Sequence, residues 1–158
     1  MSLSLDELGA FVANLAADSE SWQGLVAHDP DHRVYALLWD DENVNAWLIC
    51  WAQDDDTGFH DHDASGAAIT VIDGQVREDR LRLNGEPSTT FSGPGALITI
   101  PPNAIHRVLH AGEVPAVTIH AYSPPLIRTG AYAVSDDGEL LREAQDGAEE
   151  LRAELALH

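Results

Sequence analysis

Residues 54–74, DDDTGFHDHDASGAAITVIDG, and residues 95–110, GALITIPPNAIHRVLH, decide the fold and the chemistry of this chain. In the first stretch, His60 and His62 are separated by one residue, and a β-strand sends alternate side chains to the same face. In the second stretch, His106 follows a proline-rich turn and opens another strand. The pattern predicts that the three imidazoles converge and bind one metal ion.

Short runs rich in β-branched and aromatic residues extend on both sides of these stretches, with turn residues between them. We expect the pair His60 and His62 to begin a strand that contains the run AAITVID (67–73) and ends at Gly74. The other predicted strands are RVYALLWD (33–40), VNAWLICWAQ (44–53), QVREDRLRL (75–83), ALITIP (96–101), HRVLH (106–110), AVTIHAYS (116–123), AYAVS (131–135) and ELLRE (139–143). Many short strands with little helix between them predict an all-β core, with a double-sheet jelly roll as the expected form.

Helices are predicted only near the two ends of the chain. Ser4, with Glu7 three residues later, has the pattern of a capping box before an amphipathic helix. A second short helix is expected to carry Trp22 and to end before Pro30. We therefore expect one domain, residues 1–158, made of a helical segment (4–28), a barrel (about 33–144) and a C-terminal helix (about 146–157).

Length and charge restrict the possible partners. The 158 residues suit one hydrophobic core, and no apolar run reaches the roughly 18 to 20 residues that a membrane span needs. The N-terminus lacks the pattern of a signal peptide, so we expect a soluble cytoplasmic protein, a monomer or a weak homo-oligomer. The formal net charge of −19 argues against nucleic acid and anionic membranes as partners. The single cysteine, Cys50, excludes an internal disulfide and is expected in the core.

The two histidine stretches resemble the paired motifs of the cupin superfamily. In the first motif the matching residues are His60, His62 and Gly74, and the departures are Asp54 for a glycine and Ala67 for the glutamate. In the second motif the matching residues are Gly95, Pro101 and His106, and the departures are Asn103 and His110. The resemblance implies a cupin double-stranded β-helix with His60, His62 and His106 as metal ligands. Because the carboxylate ligand is missing, three neutral imidazoles would leave three coordination positions open for substrate and O2.

A narrower resemblance lies in residues 118–125, TIHAYSPP, which are similar to the Ser-x-His-x-Tyr-Ser-Pro-Pro signature of the cysteine dioxygenase family. Residues Thr118, His120 and Tyr122 share one strand face, so a hydroxyl, an imidazole and a phenol can form a hydrogen-bonded relay. The resemblance implies an iron(II) thiol dioxygenase in which these three residues are catalytic and O2 converts a small thiol to a sulfinate. It also implies a cis peptide bond before Pro124. Imidazole ligands alone suit several metals, so the choice of iron comes from the resemblance.

The family resemblance also implies an arginine on an early strand that binds the substrate carboxylate. Alignment through Cys50-Trp51 puts that position at Val34 or Tyr35, neither of which is cationic. A related branch that acts on 3-mercaptopropionate takes its arginine from beyond the Ser-Pro-Pro segment, where this chain has Arg128. We therefore expect Val34, Tyr35 and Arg128 at the substrate site, and free cysteine as a poor substrate. Arg33 is expected to point to the face opposite Val34.

Two other functions stay open at this stage. One is a cupin metalloenzyme of different chemistry, such as an isomerase or another dioxygenase. The other is a cupin that binds a metal or ligand without catalysis. The relay residues favour the thiol dioxygenase, because an isomerase does not need them.

Overall fold

The computed structural model describes residues 2–146, which form one α-helix, two 3₁₀ helices and eleven strands. The helices are α1 (Leu5–Ala17) and the 3₁₀ helices Ser19–Ser21 and Gln23–Leu25. The strands are β1 (Val34–Asp40), β2 (Asn45–Trp51), β3 (His60–Asp61), β4 (Gly66–Asp73), β5 (Gln75–Arg80), β6 (Ser88–Ser92), β7 (Leu97–Ile100), β8 (His106–Ala111), β9 (Ala116–Ser123), β10 (Arg128–Val134) and β11 (Leu140–Asp146). The predicted C-terminal helix lies outside the described residues, apart from position 146, where β11 ends.

The strands form two sheets that enclose the core. The first sheet has the order β1-β2-β9-β4-β7, and the second has the order β11-β10-β3-β8-β5-β6. The strand pairings within both sheets are antiparallel. This arrangement confirms the predicted all-β, jelly-roll fold. Within residues 2–146, no helix combines the length and the apolar character needed to cross a membrane.

Strand β9 shows how the sequence builds two layers of core. Its eight residues are all buried, as is usual for a strand that is covered on both faces. Val117, Ile119 and Ala121 pack against the buried face of helix α1, whereas Tyr122 packs among side chains of both sheets. Because side chains alternate along a strand, Thr118 and His120 share the inner side with Tyr122. The fold therefore buries three polar side chains between the sheets.

Helix α1 begins with the predicted capping box. The Ser4 hydroxyl accepts a hydrogen bond from the Glu7 backbone N–H at 3.1 Å, and the Glu7 carboxylate accepts one from the Ser4 N–H at 3.0 Å. The second predicted helix takes the form of the two 3₁₀ helices. Between them, Trp22 donates its indole N–H to the carbonyls of Leu15 and Ala16, at 3.1 and 3.2 Å. That contact holds the chain against the end of α1, where the last helical carbonyls need donors.

The predicted run AAITVID (67–73) lies within β4, but the expected single strand from His60 to Gly74 is wrong, because the chain turns between β3 and β4. The Ser65 N–H donates to the His62 carbonyl at 3.0 Å, and Asp63 has a φ of 56°, in the left-handed region. The Asp63 N–H also donates to the Asp61 carboxylate at 2.9 Å, which is local turn chemistry for an aspartate. As a result β3 belongs to the second sheet and β4 to the first.

Gly74 makes the next passage between the sheets, from β4 to β5. Its φ is 74°, and a Cβ atom at this position would lie 2.6 Å from the carbonyl oxygen of Pro115. Glycine is therefore required at position 74 both by the backbone conformation and by the close approach of the backbone at Pro115.

Asp79 connects three strands of the second sheet. Its carboxylate accepts hydrogen bonds from Arg77 at 2.9 and 2.8 Å, from Arg107 at 2.8 Å and from the Thr89 hydroxyl at 2.7 Å. Burial by itself would raise the pKa of Asp79, but the hydrogen bonds from Arg77, Thr89 and Arg107 lower that pKa to about 2.

We expect Asp79→Asn to lower the free energy of unfolding by about 2 kcal/mol at pH 7, as follows from the lowered pKa. The folded pKa lies below the unfolded value of 3.8, so this stability is present above that value and is lost as the pH falls towards 2. Urea unfolding at pH 7 and at stepwise lower pH measures the difference. Asp73→Asn, at the exposed end of β4, is the control. An equal loss of unfolding free energy in both variants would contradict the stabilising role of the Asp79 hydrogen bonds.

Candidate active site

Three buried histidines converge between the sheets. His60 lies on β3, His62 follows directly after it, and His106 begins β8, where it is the register partner of His60. Their ligand-capable atoms all lie within 4.8 Å of one another. The Nε2 atoms of His60 and His62 are 3.1 Å apart. The structure therefore brings together the three imidazoles that the sequence pattern selected.

The hydrogen bonds on the far sides of two rings prepare them for a metal ion. His60 donates from Nδ1 to the Gly58 carbonyl at 2.9 Å, and His106 Nδ1 lies 2.7 Å from the Glu78 carboxylate. Since both partners accept, the proton sits on Nδ1 and the Nε2 lone pair is left for the metal. Two imidazoles bound at about 2.1 Å in adjacent octahedral positions would have their nitrogens about 3 Å apart, close to the separation of His60 and His62. The residues thus fit a divalent ion held by neutral imidazoles.

A network on the outer side of β3 holds this two-residue strand. Asp61, between the two histidines, accepts hydrogen bonds from Tyr132 at 2.5 Å and from Arg142 at 3.0 Å. Burial would raise the pKa of Asp61, but the hydrogen bonds from Arg142 and Tyr132 lower it to about 2. The ionised carboxylate therefore fixes β3 to β10 and β11, and with it the direction of the two flanking imidazoles.

The relay residues predicted from the sequence also meet inside the protein. The Thr118 hydroxyl lies 2.8 Å from His120 Nε2, and the Tyr122 hydroxyl lies 3.4 Å from His120 Nδ1. Trp51, which the sequence reasoning used only as a family marker, donates its indole N–H to the Thr118 hydroxyl at 2.8 Å. The rings of Trp51 and His120 are stacked with centroids 6.2 Å apart.

Trp51 sets the direction of the hydrogen bonds along this relay. An indole N–H can only donate, so the Thr118 oxygen accepts, and its own proton needs another acceptor. Among the described residues, His120 Nε2 is the acceptor within reach of the Thr118 hydroxyl. His120 then carries its proton on Nδ1 and donates towards the Tyr122 oxygen. The hydroxyl proton of Tyr122 is consequently directed away from His120.

A small cavity joins the histidine cluster to the relay. The rings of Tyr122 and His62 are 5.1 Å apart between centroids. The space open to the centre of a water molecule is about 10 Å³, which is near the room for a single water. Ten residues line it: Arg33, Ile49, Thr57, His60, His62, Ile69, His106, Val108, His120 and Tyr122. The small volume favours a small thiol over a bulky one.

Arg33 is the cation of this cavity. Its side chain is 4 % exposed, and its guanidinium lies over the Trp51 ring at 5.4 Å from the centroid. The prediction that Arg33 and Val34 point to opposite faces is confirmed, because Val34 packs in the outer core layer. Of Arg33, Val34 and Tyr35, the residue that lines the cavity is Arg33.

The other predicted substrate residues lie elsewhere. Tyr35 packs against Trp47, with ring centroids 6.0 Å apart, and does not line the cavity. Arg128 is exposed at the start of β10 and lines a separate surface depression with Ala144. Contrary to the expectation from the sequence, Val34, Tyr35 and Arg128 are not among the residues that line this cavity. The predicted cis peptide bond between Ser123 and Pro124 is present.

Comparison with solved structures supports the fold. The chain is similar to a protein with a double-stranded β-helix domain from Klebsiella pneumoniae (TM-score 0.57, 14% identity, 68% of this chain and 88% of that one). It is also similar to the protein TT1209 from Thermus thermophilus (TM-score 0.58, 17% identity, 65% of this chain and 93% of that one). A double-stranded β-helix with three convergent imidazoles defines a cupin with a candidate metal centre.

Sequence comparison then gives the family within the cupins. The family model for cysteine dioxygenase type I matches residues 2–93, and the chain belongs to this family. Cysteine dioxygenase type 1 of Danio rerio is 23% identical in an alignment of 136 residues that covers 78% of this chain and 67% of the relative. The chain therefore aligns with about two thirds of the length of that relative.

Proposed function

We propose that this protein is a non-haem iron(II) thiol dioxygenase that converts a small thiol and O2 to a sulfinate. In the overall reaction, R–SH and O2 give R–SO2H, so the sulfur loses four electrons, O2 gains them and no other reductant is needed. The observation that carries the proposal is the joining of the three-histidine cluster and the relay in one cavity. The proposed setting is the cytoplasm, where small thiols stay reduced.

The metal centre would supply the chemistry that the side chains lack. A bound iron(II) ion would act as a Lewis acid that favours the thiolate and would make O2 reactive towards sulfur. His60, His62 and His106 would hold this ion with neutral nitrogens and leave the cavity side for substrate and oxygen.

Tyr122 is the proposed proton donor within the cavity. Its hydroxyl proton is directed away from His120 by the order of hydrogen bonds that Trp51 begins. Tyr122 can therefore donate a hydrogen bond to the reacting sulfur or oxygen, and it accepts one from His120. Held by the hydrogen bond from His120, the Tyr122 phenol can orient the reacting atoms.

Arg33 is the proposed binding group for a substrate carboxylate. A buried guanidinium binds a carboxylate through two parallel hydrogen bonds, and Arg33 is held over Trp51 at the wall of the cavity. The expectation that cysteine is a poor substrate first rested on a missing cation, and Arg33 removes that reason. A different reason remains, because none of the described residues that line the cavity is acidic and could pair with an ammonium group. We therefore propose a small thiol carboxylate of the 3-mercaptopropionate type as the favoured substrate.

The proposal is tested by oxygen uptake of the iron-loaded protein with four thiols. 3-Mercaptopropionate is expected to be oxidised fastest, cysteine more slowly, and cysteamine and 2-mercaptoethanol least. Sulfinate formation is measured in the same samples. If the protein binds iron tightly but consumes no oxygen with any of the thiols, it is a metal-binding cupin or an enzyme of other chemistry.

For Tyr122→Phe we expect kcat to fall about 100-fold, the usual scale for losing a positioned proton donor. The metal dissociation constant should stay close to that of the parent, since the phenol is not part of the three-histidine cluster. Tyr35→Phe makes the same chemical change outside the cavity and should retain full activity. A Tyr122→Phe variant with unchanged kcat would remove the phenol from the mechanism.

A further inference from the structure

We propose that Glu78 is a positioning residue that supplies, through His106, the negative charge that the three metal ligands lack. This inference rests on the metal site of the proposed function. It concerns how strongly the protein holds the ion and which oxidation state it favours.

Glu78 reaches His106 from the neighbouring strand. Its carboxylate lies 2.7 Å from His106 Nδ1, and the residue is 6 % exposed. Strands β5 and β8 pair so that Arg80 is the register partner of His106. Glu78 and Arg80, two residues apart on β5, therefore share the side of the sheet that faces the histidines.

Arg80 keeps this carboxylate charged. One guanidinium nitrogen of Arg80 lies 2.9 and 3.2 Å from the two oxygens of Glu78 and donates to the Thr99 carbonyl at 3.0 Å. A buried carboxylate is stable only with such a partner. Glu78 is therefore an acceptor for the His106 Nδ1–H, and it holds the tautomer that presents Nε2 to the cavity.

The consequence is an unequal set of ligands. His60 donates to a neutral carbonyl, that of Gly58, whereas His106 donates to a charged carboxylate. A carboxylate partner makes an imidazole a stronger metal ligand. His106 should accordingly bind the ion most strongly. The Glu78 carboxylate, which contacts His106 and is not itself a ligand, would supply the negative charge of the glutamate that is missing from the first cupin motif.

The test is Glu78→Gln, in which the amide oxygen can still accept from His106 Nδ1 but the charge is removed. We expect the Co²⁺ dissociation constant, measured by competition with a chromogenic chelator, to rise about 10- to 100-fold. The Fe(III)/Fe(II) midpoint potential of the iron-loaded protein should shift to a more positive value. Glu86→Gln makes the same change in net charge at an exposed position and should alter neither quantity.

Arg80→Gln separates the charge from a merely structural role. It keeps the Glu78 side chain but removes the cation that keeps its carboxylate charged, so Co²⁺ binding should weaken in the same direction as in Glu78→Gln. Unchanged or tighter binding in a folded Arg80→Gln, or unchanged binding in a folded Glu78→Gln, would overturn the inference, and if Glu78→Gln does not fold, Arg80→Gln decides alone. A parent protein that binds no Co²⁺ would instead refute the metal site itself, and this inference with it.

Discussion

His106→Ala should abolish both metal binding and thiol oxidation. The imidazole is buried, lies beside His60 in the β3–β8 pairing and is held by the Glu78 carboxylate. Without it only two histidine nitrogens remain in the cluster. We expect metal affinity to fall by more than about 100-fold. Losing a residue that only hydrogen-bonds to a metal ligand already costs about 10- to 100-fold in affinity, and His106 is a ligand itself. Oxygen uptake should fall to the background rate.

The matched control for that change is His110→Ala on the same strand. His110 lies four residues further along β8, and its ring contacts the Val114 carbonyl near the surface. This variant should bind metal and turn over thiol like the parent. Metal content by mass spectrometry and thermal unfolding of both variants separate ligand loss from misfolding. A folded His106→Ala variant that keeps full metal content would show that the cluster is not the metal centre.

Arg33→Met should selectively remove the recognition of a carboxylate. The methionine keeps an unbranched apolar side chain over Trp51 but cannot donate hydrogen bonds. Hydrogen bonds to a charged partner contribute about 1.5 to 3 kcal/mol, so we expect kcat/KM for 3-mercaptopropionate to fall about 100-fold. The value for cysteamine, which has no carboxylate, should change little. The quantity to measure is the ratio of kcat/KM for 3-mercaptopropionate to kcat/KM for cysteamine.

Arg128→Met is the control for this substitution, since Arg128 is exposed and lies outside the cavity. It should behave like the parent with every thiol. If Arg128→Met lowers turnover of 3-mercaptopropionate and Arg33→Met does not, the carboxylate is bound by Arg128, as the resemblance to the 3-mercaptopropionate branch implied, and the assignment of Arg33 is wrong.

The parts of the site that depend on alternation were predictable from the sequence. Thr118, His120 and Tyr122 share the inner side of β9 because they are two residues apart, and this spacing is visible in the letters alone. The hydrophobic runs likewise located most strands to within a few residues. The convergence of His60 and His106 followed from their positions at the beginnings of strands.

The remaining features depend on contacts between distant parts of the chain. The break after His62 follows from a local turn at Asp63, whose left-handed backbone no hydrophobic pattern records. Strand β6 was missed because it lies at the sheet edge with four of its five residues exposed, so no alternation appears. Glu78 stands in a charged run that is typical of a solvated strand, and only the pairing of β5 with β8 shows that it is buried against His106.

The central claim is that both atoms of one O2 molecule pass to the sulfur of a small thiol. The most direct measurement is turnover of 3-mercaptopropionate by the iron-loaded protein under ¹⁸O2, with the product analysed by mass spectrometry. The account predicts a sulfinate in which both oxygens carry the label, with one O2 consumed for each thiol. A product that is disulfide, or a sulfinate that takes one or both oxygens from water, would contradict it.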